Sequence, residues 1–264
     1  MRPRPDANQP FAGIAGCPKS VRRPGRVSRP ARLPAPTPMK ITYLAHSCFL
    51  LETAKARLVI DPFLNDNPLA PLKAGQLEVD YVLCSHGHED HTGDALELSR
   101  RCGATIIANY EIAEYFAARG ARTHGMNPGG AFRFSFGRVK LTLAFHSSSA
   151  EAGLHPVYLG NPCGLLIEAD GLRIYHAGDT ALFSDMQLIG RNGLDVAMVP
   201  IGDNFTMGIE DAAAALDLLK PKVAIPMHYN TWPIIHVDAQ EFVEAAARTD
   251  HTVKVLLPGE SLAL

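Results

Sequence analysis

The chain has 264 residues, of which 47% are hydrophobic and 20% charged, enough for one large domain with a substantial core. No run approaches the ~18 consecutive apolar residues of a membrane span, and Pro, Gly and Arg break the first apolar segment, so neither a span nor a secretory signal is expected. The formal net charge of −2 hides an asymmetry: residues 1–38 hold eight Lys/Arg and one Asp, and the remainder holds 17 Lys/Arg and 26 Asp/Glu.

Residues 1–38 also carry nine of the twenty prolines. Such a segment cannot bury enough apolar surface to fold, so it is expected to be disordered. Three explanations compete: an Arg-rich targeting peptide, a basic arm for nucleic acid or anionic lipid, or an upstream extension outside the natural protein. Met39, opening the strand pattern Met-Lys-Ile-Thr-Tyr-Leu, favours the last, with the folded domain spanning 39–264. The acidic remainder argues against nucleic acid as the main partner. The five cysteines (Cys17, Cys48, Cys84, Cys102, Cys163) are scattered and contain no Cys-x-x-Cys pair. That argues against a disulfide framework or a cysteine zinc site and fits a reducing, cytoplasmic compartment.

From Met39, short strands are predicted at 41–44, 48–53 and 57–61, then a Pro/Asn-rich loop over 62–78. The run 80–85 reads as a buried strand, 92–102 as a helix stopped by Gly103, 104–108 as a strand and 110–119 as a helix. Segments 132–136 and 139–145 suggest a hairpin around Gly137, and 147–160 a long loop of the kind that carries function. Strands 164–169 and 172–175 flank an Asp170-Gly171 turn. Helices near 182–190, 210–220 and 238–248 then alternate with strands at 195–200, 222–226 and 252–257. This order predicts two sheets packed face to face with helices outside.

The chemistry begins after the strand 80–85, at His86-Gly87-His88-Glu89-Asp90-His91. Residues two apart on extended backbone point the same way, so His86 and His88 can grip one ion. The turn into a helix brings Asp90 and His91 to a second position. Imidazole nitrogen and carboxylate oxygen are ligands that a zinc-like ion takes, and Gly87 is expected to keep bulk out from between the histidines. Further ligand candidates, His146, Asp179 and His228, each follow a predicted strand, as expected where a sheet scaffold gathers a site at one edge. His46, His176, Asn204, Thr206 and Trp232 are candidates for the substrate pocket or for orienting a ligand.

The set His86-x-His88-x-Asp90-His91, then His146, Asp179 and His228, resembles the metallo-β-lactamase superfamily. The opening Met-Lys-Ile-Thr-Tyr-Leu-Ala-His-Ser-Cys-Phe-Leu-Leu-Glu, with Tyr-His-Ala-Gly-Asp-Thr and Pro-Ile-Gly-Asp-Asn-Phe-Thr-Met-Gly, is similar more narrowly to metal-dependent hydrolases related to the L-ascorbate-6-phosphate lactonase branch. The resemblance covers about 39–264. It implies an α/β (α+β) fold, a four-layer αββα sandwich. It also implies that His86, His88 and His146 bind one metal ion, Asp90, His91 and His228 a second, and that Asp179 bridges them. Zinc is the default, and manganese or iron also suits these ligands. Two such ions can share a water and deliver hydroxide to a small-molecule ester, lactone or phosphodiester, with Asp90 orienting the nucleophile. The alternatives are a metal-binding sensor or scaffold without turnover, and a nuclease. The resemblance also leans towards a homo-oligomer.

Overall fold

The computed structural model describes residues 38–152 and 155–264. The expected disordered extension lies, apart from Pro38, outside the described residues. Strands β1 (Lys40–Tyr43), β2 (Phe49–Glu52) and β3 (Arg57–Ile60) form an antiparallel meander. They are joined in parallel by β4 (Tyr81–Leu83), β5 (Thr105–Asn109) and β6 (Arg122–Met126). The chain then makes β7 (Ala131–Arg133) and β8 (Gly137–Leu143), a separate hairpin of β9 (Ser149–Ala152) and β10 (His155–Tyr158), and β11 (Cys163–Ala169). Next come β12 (Leu172–His176), β13 (Leu194–Pro200) and β14 (Pro221–Met227), giving a second sheet of order β14-β13-β12-β11-β8-β7. Finally β15 (Ser261–Ala263) returns to pair antiparallel with β1, completing seven strands in the first sheet.

Period-two alternation sends the side chains of the first sheet into two cores. Phe49, Leu51, Leu58, Ile60 and Ile107 meet Leu141, Leu165 and Ile167 of the second sheet. Their neighbours Leu50, Val59, Ile106 and Ala108 face the other way, against Ala95 and Leu98 of α2 (Ala95–Cys102) and Ile112 and Phe116 of α3 (Tyr110–Ala117). The second sheet is covered by α4 (Met186–Gly190), α5 (Ile209–Leu219) and α6 (Ala239–Ala247), whose Ala215, Leu216, Leu219 and Phe242 are buried. Burial on both faces explains the near-continuous apolar runs, and the architecture is the αββα sandwich.

Several boundaries depart from the sequence reading. The helix expected over 92–102 is two pieces, α1 (Glu89–Thr92) and α2, parted at Gly93-Asp94. Asp94 turns its carboxylate to accept the backbone N–H groups of Leu64 (2.5 Å) and Asn65 (3.1 Å), so it staples the earlier loop after β3 rather than continuing a helix. The loop expected over 147–160 contains the β9–β10 hairpin. The strand expected at 252–257 shrinks to a single bridge between Ala224 and Val253, while 261–263 supplies the edge strand instead. β6, Arg-Thr-His-Gly-Met, carries no apolar alternation and was invisible in the pattern. The four cysteines among the described residues are free, and three of them are buried. No helix among the described residues is long and apolar enough to cross a membrane.

Candidate metal centre

Strand direction places the site. β3 and β4 are parallel, and β1 runs the same way because β2 is antiparallel to both β1 and β3. β8 and β12 are both antiparallel to β11, and β12, β13 and β14 are parallel. Loops following β1, β3 and β4 of one sheet and β8, β12 and β14 of the other therefore supply His46, Asp61, His86–His91, His146, Asp179 and His228. Thr180 ties two of these loops together. Its Oγ1 accepts the Phe145 N–H at 3.0 Å and the Phe145 carbonyl accepts the Ala181 N–H at 3.1 Å, seating His146 beside Asp179.

The seven expected ligands lie in one cluster with two lobes. Nitrogens of His86, His88 and His146 are within 4.8 Å of one another, as are ligand atoms of His46, Asp90, His91 and His228. Asp179 stands between the lobes. Its Oδ2 is 3.9 Å from His86 Nε2 and 3.6 Å from His146 Nε2 on one side. On the other side it is 3.4 Å from His91 Nε2 and 2.9 Å from His228 Nε2. Ligands 2.0–2.1 Å from a tetrahedral zinc ion are about 3.3 Å apart, so the 3.4–3.9 Å spacings suit a shared ion better than mutual hydrogen bonding, while the 2.9 Å contact to His228 is of hydrogen-bond length. His91 Nε2, Asp179 Oδ1 and His228 Nδ1 are buried with no hydrogen-bond partner, which is costly unless another group satisfies them. The residues fit bound metal.

The charges are self-consistent. Burial disfavours an ionised Asp179, yet His228 and His91 hold its carboxyl well below the usual range. Burial likewise opposes charge on His91, but Asp179, Asp90 and Asp61 together raise its pKa. His86, buried and beside His91, is pushed down and stays neutral.

Asp61 escaped the sequence reading. It is fully buried, and its carboxylate accepts the Ser85 N–H (2.7 Å), the Ser85 hydroxyl (2.6 Å) and His91 Nδ1–H (2.8 Å). Because the Ser85 proton is spent on Asp61, Ser85 Oγ can only accept from His86 Nδ1–H, 3.0 Å away. One carboxylate thereby keeps an Nδ1 proton on both imidazoles, which would leave Nε2 of each as the atom offered to a metal ion, the role that partners behind metal-bound histidines commonly take. The available signal was an acid closing the apolar strand Arg-Leu-Val-Ile.

The β-lactamase superfamily domain matches residues 40–228. A UPF0173 metal-dependent hydrolase of Pelotomaculum thermopropionicum is 54% identical over 86% of this chain and 100% of its own. Another from Opitutus terrae is 51% identical over 85% of this chain and 99% of its own. The chain belongs to the UPF0173 metal-dependent hydrolases of the β-lactamase superfamily. A solved structure of a metallo hydrolase from the archaeon Ignicoccus hospitalis superposes on this hydrolase with a TM-score of 0.79, at 38% identity, over 86% of this chain and 99% of that one.

Gly87 has a different reason from the one expected. A Cβ there would lie 2.9 Å from Leu159 Cδ1 and 3.3 Å from Ser148 Oγ, so it would strike the loop after β10 rather than the histidines. The pocket candidates of the hydrolase also divide. Trp232 lines the cavity over the metal centre. His46 is buried beneath it, with ring centroids 5.0 Å apart, and touches Asp90 rather than the open space. An ionised carboxylate can only accept, so His46 Nε2–H donates to Asp90 Oδ2 (3.1 Å) and Nδ1 accepts the Thr231 hydroxyl (2.8 Å). Burial and the neighbouring His228 lower the His46 pKa to about 4, keeping that neutral tautomer.

His176 lies outside the cavity lining. It is fully buried, its Nε2–H donates to the Ser47 carbonyl (2.9 Å) and its Nδ1 accepts the Gly178 N–H (3.1 Å), so it pins two loops and is not part of the cavity wall. Asn204 and Thr206 are not among the residues that line the cavity either. Asp203 and Asn204 take left-handed conformations (φ 60° and 51°), and the residue that lines the cavity is Phe205. The Thr206 hydroxyl donates to the Met207 carbonyl instead.

Proposed function

We propose that the protein is a two-metal hydrolase, with zinc as its default ion, acting on a small-molecule ester, lactone or phosphodiester. The observation that carries this is the placement of Asp179 Oδ2, within 2.9–3.9 Å of imidazole nitrogens from both lobes. His86, His88 and His146 would hold one ion, Asp90, His91 and His228 the other, and Asp179 would serve both. A purely structural zinc site is normally closed by four ligands, which favours an enzyme over a scaffold. When bound, such a pair lowers the pKa of a shared water towards ~7 and polarises the oxygen of the scissile group.

The chain's own residues then have separable tasks. Asp61 keeps the proton of His91, and through Ser85 that of His86, on Nδ1. His46 holds one oxygen of Asp90 by hydrogen bond, leaving the half-buried Asp90 carboxylate to orient the nucleophile at the cavity floor. A serine or cysteine nucleophile is unnecessary. Cys84, next to the site, is fully buried and its thiol is pushed far up by burial, so it is inert as a thiolate.

The test is to load the full-length protein with zinc or manganese, count metal per chain, and assay an ester, a lactone and a phosphodiester against a chelated control. Two metals per chain with chelator-sensitive turnover of any of the three is the expected result. Turnover undiminished after metal removal would overturn the reading.

A further inference from the structure

The metal centre opens into a cavity of about 850 Å³, within the range that holds a small molecule. Its uncharged walls beyond the ligands are Phe63, Trp232, Phe205 and Ile234, with Ser147 as the one neutral polar side chain beside them. Its charged lining, apart from the ligand residues, consists of Asp66 and Glu89, both exposed. Among the described residues no Lys or Arg lines it.

These features bear on the charge of the substrate. Phosphate groups are recognised by arginine forks, lysine ammoniums or converging backbone N–H groups, which offset the loss of hydration. Here the groups that meet a ligand entering beside the metals are two carboxylates, which repel an anion, and four largely apolar side chains; the neutral donors are the Ser147 hydroxyl and the Trp232 indole N–H, with no cation among them. The aromatic wall is held from behind, because Trp232 packs 5.0 Å from the His46 ring and 6.0 Å from the Phe63 ring. At the mouth, Phe205 and Ile234 leave 51% and 60% of their surfaces in water. Large apolar side chains gathered around an opening gain free energy when an apolar group covers them.

We propose that this cavity selects uncharged acyl substrates, esters or lactones carrying an apolar group, over phosphate esters. The proposal rests on the hydrolase reading above and specifies its substrate class. The reaction is balanced by water alone. Its oxygen bonds to the acyl carbon, the acyl C–O bond breaks, one proton goes to the departing alkoxide, and the new carboxylic acid gives up a proton to solvent.

Trp232 is the only tryptophan in the chain, so its fluorescence reports on the cavity directly. The metal-stripped full-length protein is titrated with phenyl butyrate and with ethyl phenyl phosphate, which are close in size and differ in charge. The neutral ester should perturb the fluorescence at about tenfold lower concentration, and the Asp66→Asn/Glu89→Gln double variant should narrow that gap. In the zinc-loaded protein, p-nitrophenyl butyrate should exceed the acetate by about tenfold in kcat/KM, from two further buried methylenes. Phe205→Ala or Ile234→Ala should collapse that preference. Equal or tighter binding of the phosphate diester, no response to either ligand, or turnover without acyl-chain preference would each overturn the proposal. Failure of zinc-loaded protein to cleave any ester or phosphodiester would instead sink the hydrolase reading, leaving the fluorescence comparison to judge the cavity.

Discussion

Replacing Asp61 with Asn probes the carboxylate behind the metal centre without changing its volume. Asp61 accepts three hydrogen bonds of 2.6–2.8 Å in a site with no solvent exposure. The Asn carbonyl can keep the Ser85 N–H, but its amide group then faces the Ser85 hydroxyl and His91 Nδ1–H, donor against donor. The hydroxyl can rotate away, whereas His91 can comply only by moving its proton to Nε2, the nitrogen aimed at the metal. One unsatisfied buried donor costs about 1–3 kcal/mol, a loss a domain of this size can survive. Metal affinity should suffer more, by about 10–100-fold, with the ion of the Asp90, His91 and His228 lobe leaving first. Competition against a chromophoric zinc chelator measures both affinities, and thermal melting of the stripped protein isolates the folding cost. Wild-type affinity for both ions in folded Asp61→Asn protein would refute the tautomer argument. The Asp61→Ala variant, which also leaves a cavity and orphans all three donors, should be markedly less stable.

The remaining predictions are more local. His86→Ala or His228→Ala should lower metal content and abolish hydrolysis while circular dichroism stays native, and a metal-depleted His86→Ala protein with full activity would contradict the mechanism. Gly87→Ala should weaken metal binding because its Cβ meets Leu159 Cδ1 at 2.9 Å and Leu159 Cβ at 3.0 Å, and adding Leu159→Gly, which removes both atoms, should restore much of the loss in the same chelator titration. His46→Gln should lower kcat more than metal content, since the imidazole touches Asp90 and Thr231 and a neutral amide retains part of that bridge. Asp195 is held below the usual carboxylate range: burial opposes its charge, but bonds from Lys222 and the Arg173 N–H outweigh that. A depressed carboxyl contributes stability above its unfolded pKa and loses it as pH falls through the lower folded value. Asp195→Asn should therefore melt lower than wild type at pH 7, and the two melting curves should converge in acid.

The ligand cluster was legible because most of its chemistry is local. Four of the seven residues sit within six positions, His86 to His91, and the other three each follow a recognisable strand. What supports them was not legible, because support comes from far along the chain. Asp61 lies 30 positions from His91, and Thr231 lies 185 from His46. The polar pocket candidates Asn204 and Thr206 were less legible for another reason. Placement after a strand says that a residue is near the site, but not which way it points. A left-handed turn at Asp203-Asn204 makes the apolar Phe205, and neither polar neighbour, the lining residue. Strand and helix identities in the core followed from apolar patterning. The two missed edges did not, since Arg122–Met126 carries almost no apolar residue and Ser261–Ala263 is only three residues long, too short for an alternation to show.

The pairing of β15 with β1 bears on how the molecule is handled. Thr42 and Ser261 share a hydrogen bond across 219 positions, and β1, which β15 covers, leads straight into the turn holding His46. Nearly the whole chain must be threaded before that edge closes, and such long-range pairing is slow to find. Until then β1 offers an unprotected row of backbone donors and acceptors to neighbouring molecules. Recovery from denaturant should thus be best in dilute solution, and yield should depend on protein concentration more steeply than final stability would suggest.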